Sequence, residues 1–248
     1  MAFLLRWVTK PREARSLQNV GNKNRSVHKL YKAPAVASLR ISNKSLIFIT
    51  PNGCCRQLEK LEKICTDAIT AGVSAIQLRD LESSVTDFRR AARRLVDLVD
   101  NKCLLVINRD IKLALEIGAS GVHFAEYQLN DTRAKEVALH SSQLVVGISV
   151  HSVSSALVAI EWFPSYIQVG SLFPTASHPG QEPLGLVRLR EIRQVIPSNI
   201  QLVAVGGIRL ENIHKLKNEG IDNVAVISAI ADSSNRIEHC RSLKRQLE

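Results

Sequence analysis

Polar residues able to grip an anion or move a proton recur at the ends of short apolar runs in this chain. In order they are Gln77, Arg79 and Asp80; Asn108, Arg109 and Asp110; His123 and Glu126; Ser149 and His151; Thr175, Ser177 and His178; Gly206 and Gly207; and Ser228. Each type suits a definite task. Adjacent glycines let backbone N–H groups approach an anion closely, and a serine opening a short helix adds a favourable dipole. Thr175 and Ser177 can donate to phosphate or carboxylate oxygens. His178 can carry a proton near neutral pH. These three lie in FPTASHPGQEPLG, whose glycines, prolines and hydroxyls suit a ligand-covering loop. Blander readings stand beside these: Gly206 and Gly207 as a tight turn, His178 on an ordinary surface loop, His123 as a bonded residue inside an apolar strand. Ser228 at the adjacent run's end tips the glycine pair towards phosphate. His28, His140, His214 and His239 lie away from these ends and receive no role.

The elements that must position these residues follow from hydropathy. From Ser45 onward, short β-branched runs alternate with stretches of helical period. Strands are expected over 45–51, 75–80, 104–109, 121–126, 144–150, 166–173, 201–208 and 223–228. Helices are expected over 58–71, 86–102, 131–139, 153–162 and 184–196, among others. In the second of these, Phe88, Ala91, Ala92, Leu95 and Leu98 form the apolar face. Arg89, Arg90, Arg93 and Arg94 read as its solvated side. Eight strands, each followed by a helix-length segment, predict a (β/α)8 TIM barrel, with the active site on the loops after the strands. An open doubly wound sheet would carry an early glycine-rich phosphate turn, which the first run lacks.

Composition bounds the class. Of 248 residues 45% are hydrophobic and 23% charged, and no apolar run reaches membrane-spanning length, so no membrane partner is expected. The net charge of +10 comes almost entirely from residues 1–44, which hold ten of the 33 Lys/Arg and one of the 23 acids, leaving 45–248 at +1. Residues 1–44 thus read as a basic extension: a transit peptide, a disordered tail, or the product of an upstream start codon. A bacterial protein would then be cytoplasmic, and a transit peptide would direct it to a mitochondrion or plastid. Nucleic acid is not an expected partner, since aromatics for base stacking are few at 4%. A homo-oligomer is an admissible assembly. The five cysteines show no C-x-x-C spacing, which argues for a reduced compartment and against a zinc site.

Seven segments in order, QLRD (77–80), INRD (107–110), GVHF (121–124), GISVHS (147–152), VGSLFPTASHPG (169–180), VAVGGI (203–208) with Asn212, and VAVISAI (224–230), resemble the thiamine phosphate synthase/TenI family. The resemblance spans about 45–230. It implies a small-molecule thiazole phosphate as ligand and, for synthases, a pyrimidine diphosphate with magnesium. The TenI branch instead aromatises a thiazole carboxylate phosphate by a tautomer shift that needs a proton carrier and no metal.

Three departures favour the TenI-like tautomerase, without cofactor, over the synthase. Leu81 stands where synthases carry a lysine, Arg109 where they carry a magnesium-binding aspartate, and Gln128 where they carry a second acid. A synthase would need Asp110 and Glu126 as substitute magnesium ligands. The thiazole phosphate half is better kept, with Thr175, Ser177, Gly206, Gly207 and Ser228 matching, and Gln77, Arg79, Asn108 and Ser149 complete the expected binding set. The tautomerase's histidine after the sixth strand is replaced by Ser171. His178 is therefore the first candidate proton carrier, followed by His123, His151 and Glu126. A noncatalytic phosphate-ligand binder is the remaining alternative.

Overall fold

The structure is a computed structural model that describes residues 43–175 and 180–248. The basic extension falls outside the described residues except for Asn43 and Lys44, and so do Ser177 and His178.

Eight parallel strands, β1 (Leu46–Ile49), β2 (Ala75–Leu78), β3 (Leu104–Asn108), β4 (Gly121–Phe124), β5 (Val145–Val150), β6 (Tyr166–Val169), β7 (Gln201–Val205) and β8 (Asn223–Val226), pair in sequence order and close on themselves. Closure joins β8 back to β1 through the registers Leu46↔Val224 and Phe48↔Val226. The strands are short and almost wholly buried, because helices cover their outer faces and side chains fill the interior. Nine described helices follow: α1 (Leu58–Thr70), α2 (Val85–Val99), α3 (Ile111–Ile117), α4 (Thr132–His140), α5 (Val153–Ile160), α6 (Gly185–Val195), α7 (Ile213–Asn218), α8 (Ser228–Ala231) and α9 (Arg236–Leu247). Their starts are chemically marked. Ser84, Asp110, Asp131 and Ser152 each accept a hydrogen bond from a backbone N–H of the helix they precede. On α2 the arginines are taken up by carboxylates, Arg89 and Arg93 by Glu116, Arg90 by Asp87 and Arg94 by Glu62.

All eight expected strands are present, but most end two to four residues sooner than their apolar runs. At β2, for example, the Thr50 hydroxyl accepts from the Arg79 amide at 2.9 Å and donates to the Arg79 carbonyl at 2.8 Å, taking over from the sheet ladder. The residues released this way are the ones that build the mouth of the barrel.

Inside, alternate residues of each strand point to the axis. Ile47, Ile49, Ala75, Val106, Val145, Tyr166, Val203 and Ala225 pack there as a continuous apolar plug. Tyr166 fits because β5 has no side chain beside it: a Cβ on Gly147 would lie 2.1 Å from the Tyr166 Cζ. Among the described residues no helix is long and apolar enough to cross a membrane. All five cysteines are buried and free.

Candidate active site

The period of two that sends Ala75, Val106, Gly121, Gly147 and Tyr166 into the plug also sends the next inward residue of each strand above it. Those are Gln77, Asn108, His123, Ser149 and Gln168, a polar tier linked by the registers Asn108↔His123 and Ser149↔Gln168. The tier floors a cavity that opens at the carboxyl end of the barrel. Gln77, Arg79, Asn108, His123, Glu126, Ser149, His151, Thr175, Gly206, Gly207 and Ser228, all expected from the sequence, line it together. Gln168 was missed. Its signal was a single amide in the otherwise apolar run YIQV, at the inward position.

The tier is mostly satisfied from within. Gln77 donates to Asn108 at 3.2 Å. The His123 Nδ1 lies 3.0 Å from the Tyr166 hydroxyl and its Nε2 lies 2.7 Å from the Ser149 Oγ, so both ring nitrogens are engaged. Burial, helped by the charges of Arg109 and Arg79, lowers the His123 pKa to about 3 and keeps the ring neutral. Three polar atoms at the cavity are buried with no partner among the described residues: Gln77 Oε1, Gln168 Oε1 and Arg109 Nε. Buried polar groups are ordinarily bonded, so these three are suited to a polar ligand.

One wall is cationic. Arg79 is half-buried, and its Nη1 donates to Asn52 Oδ1 at 2.9 Å. Burial, then the neighbouring Arg109, pulls its pKa below the usual arginine value. The loop beneath it is tied down by Asp80, which accepts from the amides of Gly53 (2.8 Å), Cys55 (2.9 Å), Glu82 (3.0 Å) and Ser83 (3.1 Å) and from the Ser83 hydroxyl (2.6 Å). Burial alone would raise the Asp80 pKa. The Ser83 hydroxyl and the converging amides outweigh it and hold the carboxyl well below its usual range. Arg109 has φ +68°, an uncommon conformation for a side chain of this size. Its amide donates to the His123 carbonyl at 2.8 Å, and its guanidinium stands 5.0 Å from the Tyr127 ring centroid.

The opposite wall is made of backbone. The loop after β6 folds over the loop after β7, Leu172 and Phe173 donating to the carbonyls of Val205 and Gly206 at 3.0 and 3.1 Å. This crossing is why glycine is needed twice. A Cβ on Gly206 (φ +94°) would meet Ser171 Oγ at 2.1 Å, and one on Gly207 (φ +66°) the Pro174 carbonyl at 2.4 Å. The same glycines make the close crossing and line the cavity. Asn212 pins the loop, donating to the Gly207 carbonyl at 2.8 Å and accepting from the Arg209 amide at 2.8 Å. Ser228 opens α8 beside it.

Between the walls, Glu126 and His151 are hydrogen-bonded to each other at the rim, a pairing able to relay a proton. Asp110 is not among the cavity-lining residues. Its side chain caps α3, accepting from the Leu113 amide at 2.9 Å. Gln128 donates to the Arg109 carbonyl at 3.2 Å and accepts from the Ala125 amide at 3.0 Å.

Residues 46–230 match the family model described as thiamine monophosphate synthase. The thiamine-phosphate synthase of Clostridium tetani is 31% identical over 184 residues, 74% of this chain and 86% of that protein. The one from Methanobrevibacter smithii is 31% identical over 77% of this chain and 89% of its own length. The thiamine phosphate pyrophosphorylase of Pyrococcus furiosus superposes with a TM-score of 0.70 at 27% identity, covering 83% of this chain and 96% of that one. With its closed barrel, the strand-end residues gathered at one cavity, and a match across three quarters of its length, the chain belongs to the thiamine monophosphate synthase (TMP-TENI) family.

Proposed function

We propose that this chain joins a pyrimidine methyl diphosphate to a thiazole phosphate, forming thiamine phosphate and releasing pyrophosphate. The observation that carries the reading is the presence of two anion-compatible walls on one cavity. Arg109 follows β3 and Gly206 follows β7, four strands apart in a ring of eight and so on opposite sides of the barrel. Two phosphorylated substrates need two such walls. The relatives named thiamine-phosphate synthase match over most of both chains, which supports the same reaction.

In this reaction the bond between the pyrimidine methylene carbon and the diphosphate oxygen breaks, the electron pair leaving with pyrophosphate. The thiazole nitrogen lone pair then forms the new carbon–nitrogen bond, and the ring becomes a thiazolium. No proton is transferred, which is compatible with a neutral His123 whose two nitrogens are already bonded. Gly206, Gly207, Ser228 and Thr175 would hold the thiazole phosphate, with Ser177 as a further donor from the same loop. Gln77, Asn108 and Ser149 would meet the pyrimidine edge.

The resemblance to synthases brings magnesium with it, and the donors here do not fit that ion. Hard cations take several oxygen ligands. Asp110 is committed to the α3 cap, Glu126 to His151, and an arginine occupies the position of the usual aspartate. Among the described residues the one cluster of three side chains of metal-ligating type is Cys54, Cys55 and Asp80, which are not among the cavity-lining residues.

The preference for a tautomerase drawn from the sequence finds no support in the relatives, which carry the synthase name. One feature keeps it as a second reading: the Glu126–His151 pair at the cavity rim, a ready proton relay. His178, the first proton carrier expected from the sequence, would be the other route. The deciding experiment incubates the full chain with hydroxymethylpyrimidine diphosphate and thiazole phosphate, and separately with the non-aromatic thiazole carboxylate phosphate. Thiamine phosphate formed in step with pyrophosphate is the expected result. Aromatisation of the second substrate, with no thiamine phosphate at any protein concentration, would transfer the assignment to the tautomerase.

A further inference from the structure

Arg79 and Arg109 form a cationic pair on one wall of the cavity. Both line the cavity, yet neither makes a salt bridge to a carboxylate among the described residues, although the arginines of α2 all do. Arg79 is bonded to a neutral amide of Asn52, and Arg109 leans on the face of Tyr127. Asp80 is engaged by four amides and a hydroxyl, Asp110 by the α3 amide and Glu126 by His151, and the charges of Asp80 and Glu82 reach Arg79 without an ion pair to it among the described residues.

The main chain that carries the two arginines is anchored independently of any ligand, and each guanidinium has one side-chain neighbour to orient it, Asn52 for Arg79 and Tyr127 for Arg109. Thr50 fixes the Arg79 main chain from β1, while the His123 carbonyl and Gln128 fix the Arg109 main chain in its left-handed turn. Two like charges kept close in a half-buried cavity repel, and a positioned dianion or trianion relieves that repulsion. The buried Arg109 Nε has no partner among the described residues and can donate to one of its oxygens. Guanidinium forks suit phosphate oxygens in a paired geometry that an ammonium does not supply.

Resting on the synthase reading, we infer that Arg79 and Arg109 neutralise the diphosphate directly, so that this chain binds and releases a diphosphate without a divalent cation. Arg109, at the position where the family resemblance places a magnesium-binding aspartate, supplies as a fixed side chain the charge that the ion would bring. When the carbon–oxygen bond breaks, the electron pair and the negative charge it adds stay on pyrophosphate, which this pair is placed to receive.

Inorganic pyrophosphate is the probe, titrated calorimetrically into the full chain in EDTA and again in excess magnesium. Binding in EDTA is expected, and magnesium should tighten it by no more than about twofold to threefold. Arg109→Gln and Arg79→Gln should each weaken metal-free binding by about tenfold or more, since a charge-assisted bond is lost. Unchanged thermal unfolding would show that each variant is folded, and Arg79→Gln serves if Arg109→Gln is not. Binding that requires magnesium, or that survives both substitutions in folded protein, would overturn the inference. Thiamine phosphate synthesis measured alongside separates the two claims. Metal-free pyrophosphate binding with no synthesis in either buffer keeps the arginine pair and removes the synthase reading. Synthesis and binding that both need magnesium keep the synthase and remove the pair.

Discussion

The His123 ring lies nearly parallel to that of Tyr166, with centroids 5.6 Å apart, planes at 26° and the Tyr166 hydroxyl 3.0 Å from Nδ1. The two residues come from β4 and β6, and β5 between them supplies Ser149 to the other ring nitrogen and Gly147 as the space the tyrosine fills. Burial raises the Tyr166 phenol pKa and lowers that of His123, so both stay neutral at physiological pH. The pair divides the apolar plug from the polar tier, and it makes His123 part of the scaffold on which the cavity stands.

This neutrality has a pH signature. The folded His123 has a pKa of about 3 against an ordinary 6.5. Between those values the unfolded chain binds a proton that the folded chain does not. Stability contributed by the neutral ring is therefore full above pH 6.5, falls as pH drops towards 3, and levels off below that. The loss is on the order of 5 kcal/mol over the whole window. Urea unfolding of wild type and His123→Gln across pH 7 to 4 should show a steeper fall for wild type. Parallel curves would mean that the ring titrates freely in the fold.

Gly147→Ala should damage the core, because the added methyl meets the Tyr166 ring at 2.1 Å and the ring is enclosed. Over-packing of this kind costs roughly 1–3 kcal/mol or more. The chemical denaturation midpoint reads the loss, and adding Tyr166→Phe should not restore it, since Cζ itself is the obstacle.

Gly206→Ala places a methyl against Ser171 Oγ and forces a residue with a Cβ to φ +94°. The expected outcome is a protein that folds with the loops after β6 and β7 pushed apart. Its KM for thiazole phosphate should rise by about tenfold or more, and its affinity for pyrophosphate should change little. Steady-state kinetics and pyrophosphate calorimetry on the same variant test the two halves separately.

Asp80→Asn exchanges an ionised acceptor for a neutral one under four amides and a hydroxyl. Hydrogen bonds to a charged group contribute about 1.5–3 kcal/mol, so a destabilisation of roughly 2–3 kcal/mol is expected. Because the Asp80 carboxyl is held below its ordinary pKa, its contribution is present at neutral pH and fades as acid protonates it. The difference between variant and wild type in thermal unfolding should accordingly shrink from pH 7 to pH 3. Pyrophosphate binding should weaken with it, since Asp80 secures the loop that presents Arg79.

Sequence alone determined the barrel. Eight short apolar runs separated by helix-length segments leave few topologies that bury every strand on both faces, and parallel closure is the one the chain adopts. It also determined which residues would meet, because strand ends of a closed parallel barrel converge on one rim. Gln77, Asn108, His123, Ser149, Thr175, Gly206 and Ser228 were legible for that reason. What each meeting would do depended on partners far along the chain. His123 could be a proton carrier until Tyr166, 43 residues away, and Ser149 took both its nitrogens. Asp110 could be a cavity ligand until the start of α3 drew its carboxylate to the Leu113 amide. Arg79 and Arg109 became one cationic wall only through the pairing of β2 with β3, and Gln168 entered the polar tier only through the register of β6 against β5. Local pattern sets strands and turns because backbone preference acts over a few residues. Protonation, hydrogen-bond saturation and charge balance are set by neighbours across the barrel, and those only the tertiary structure decided.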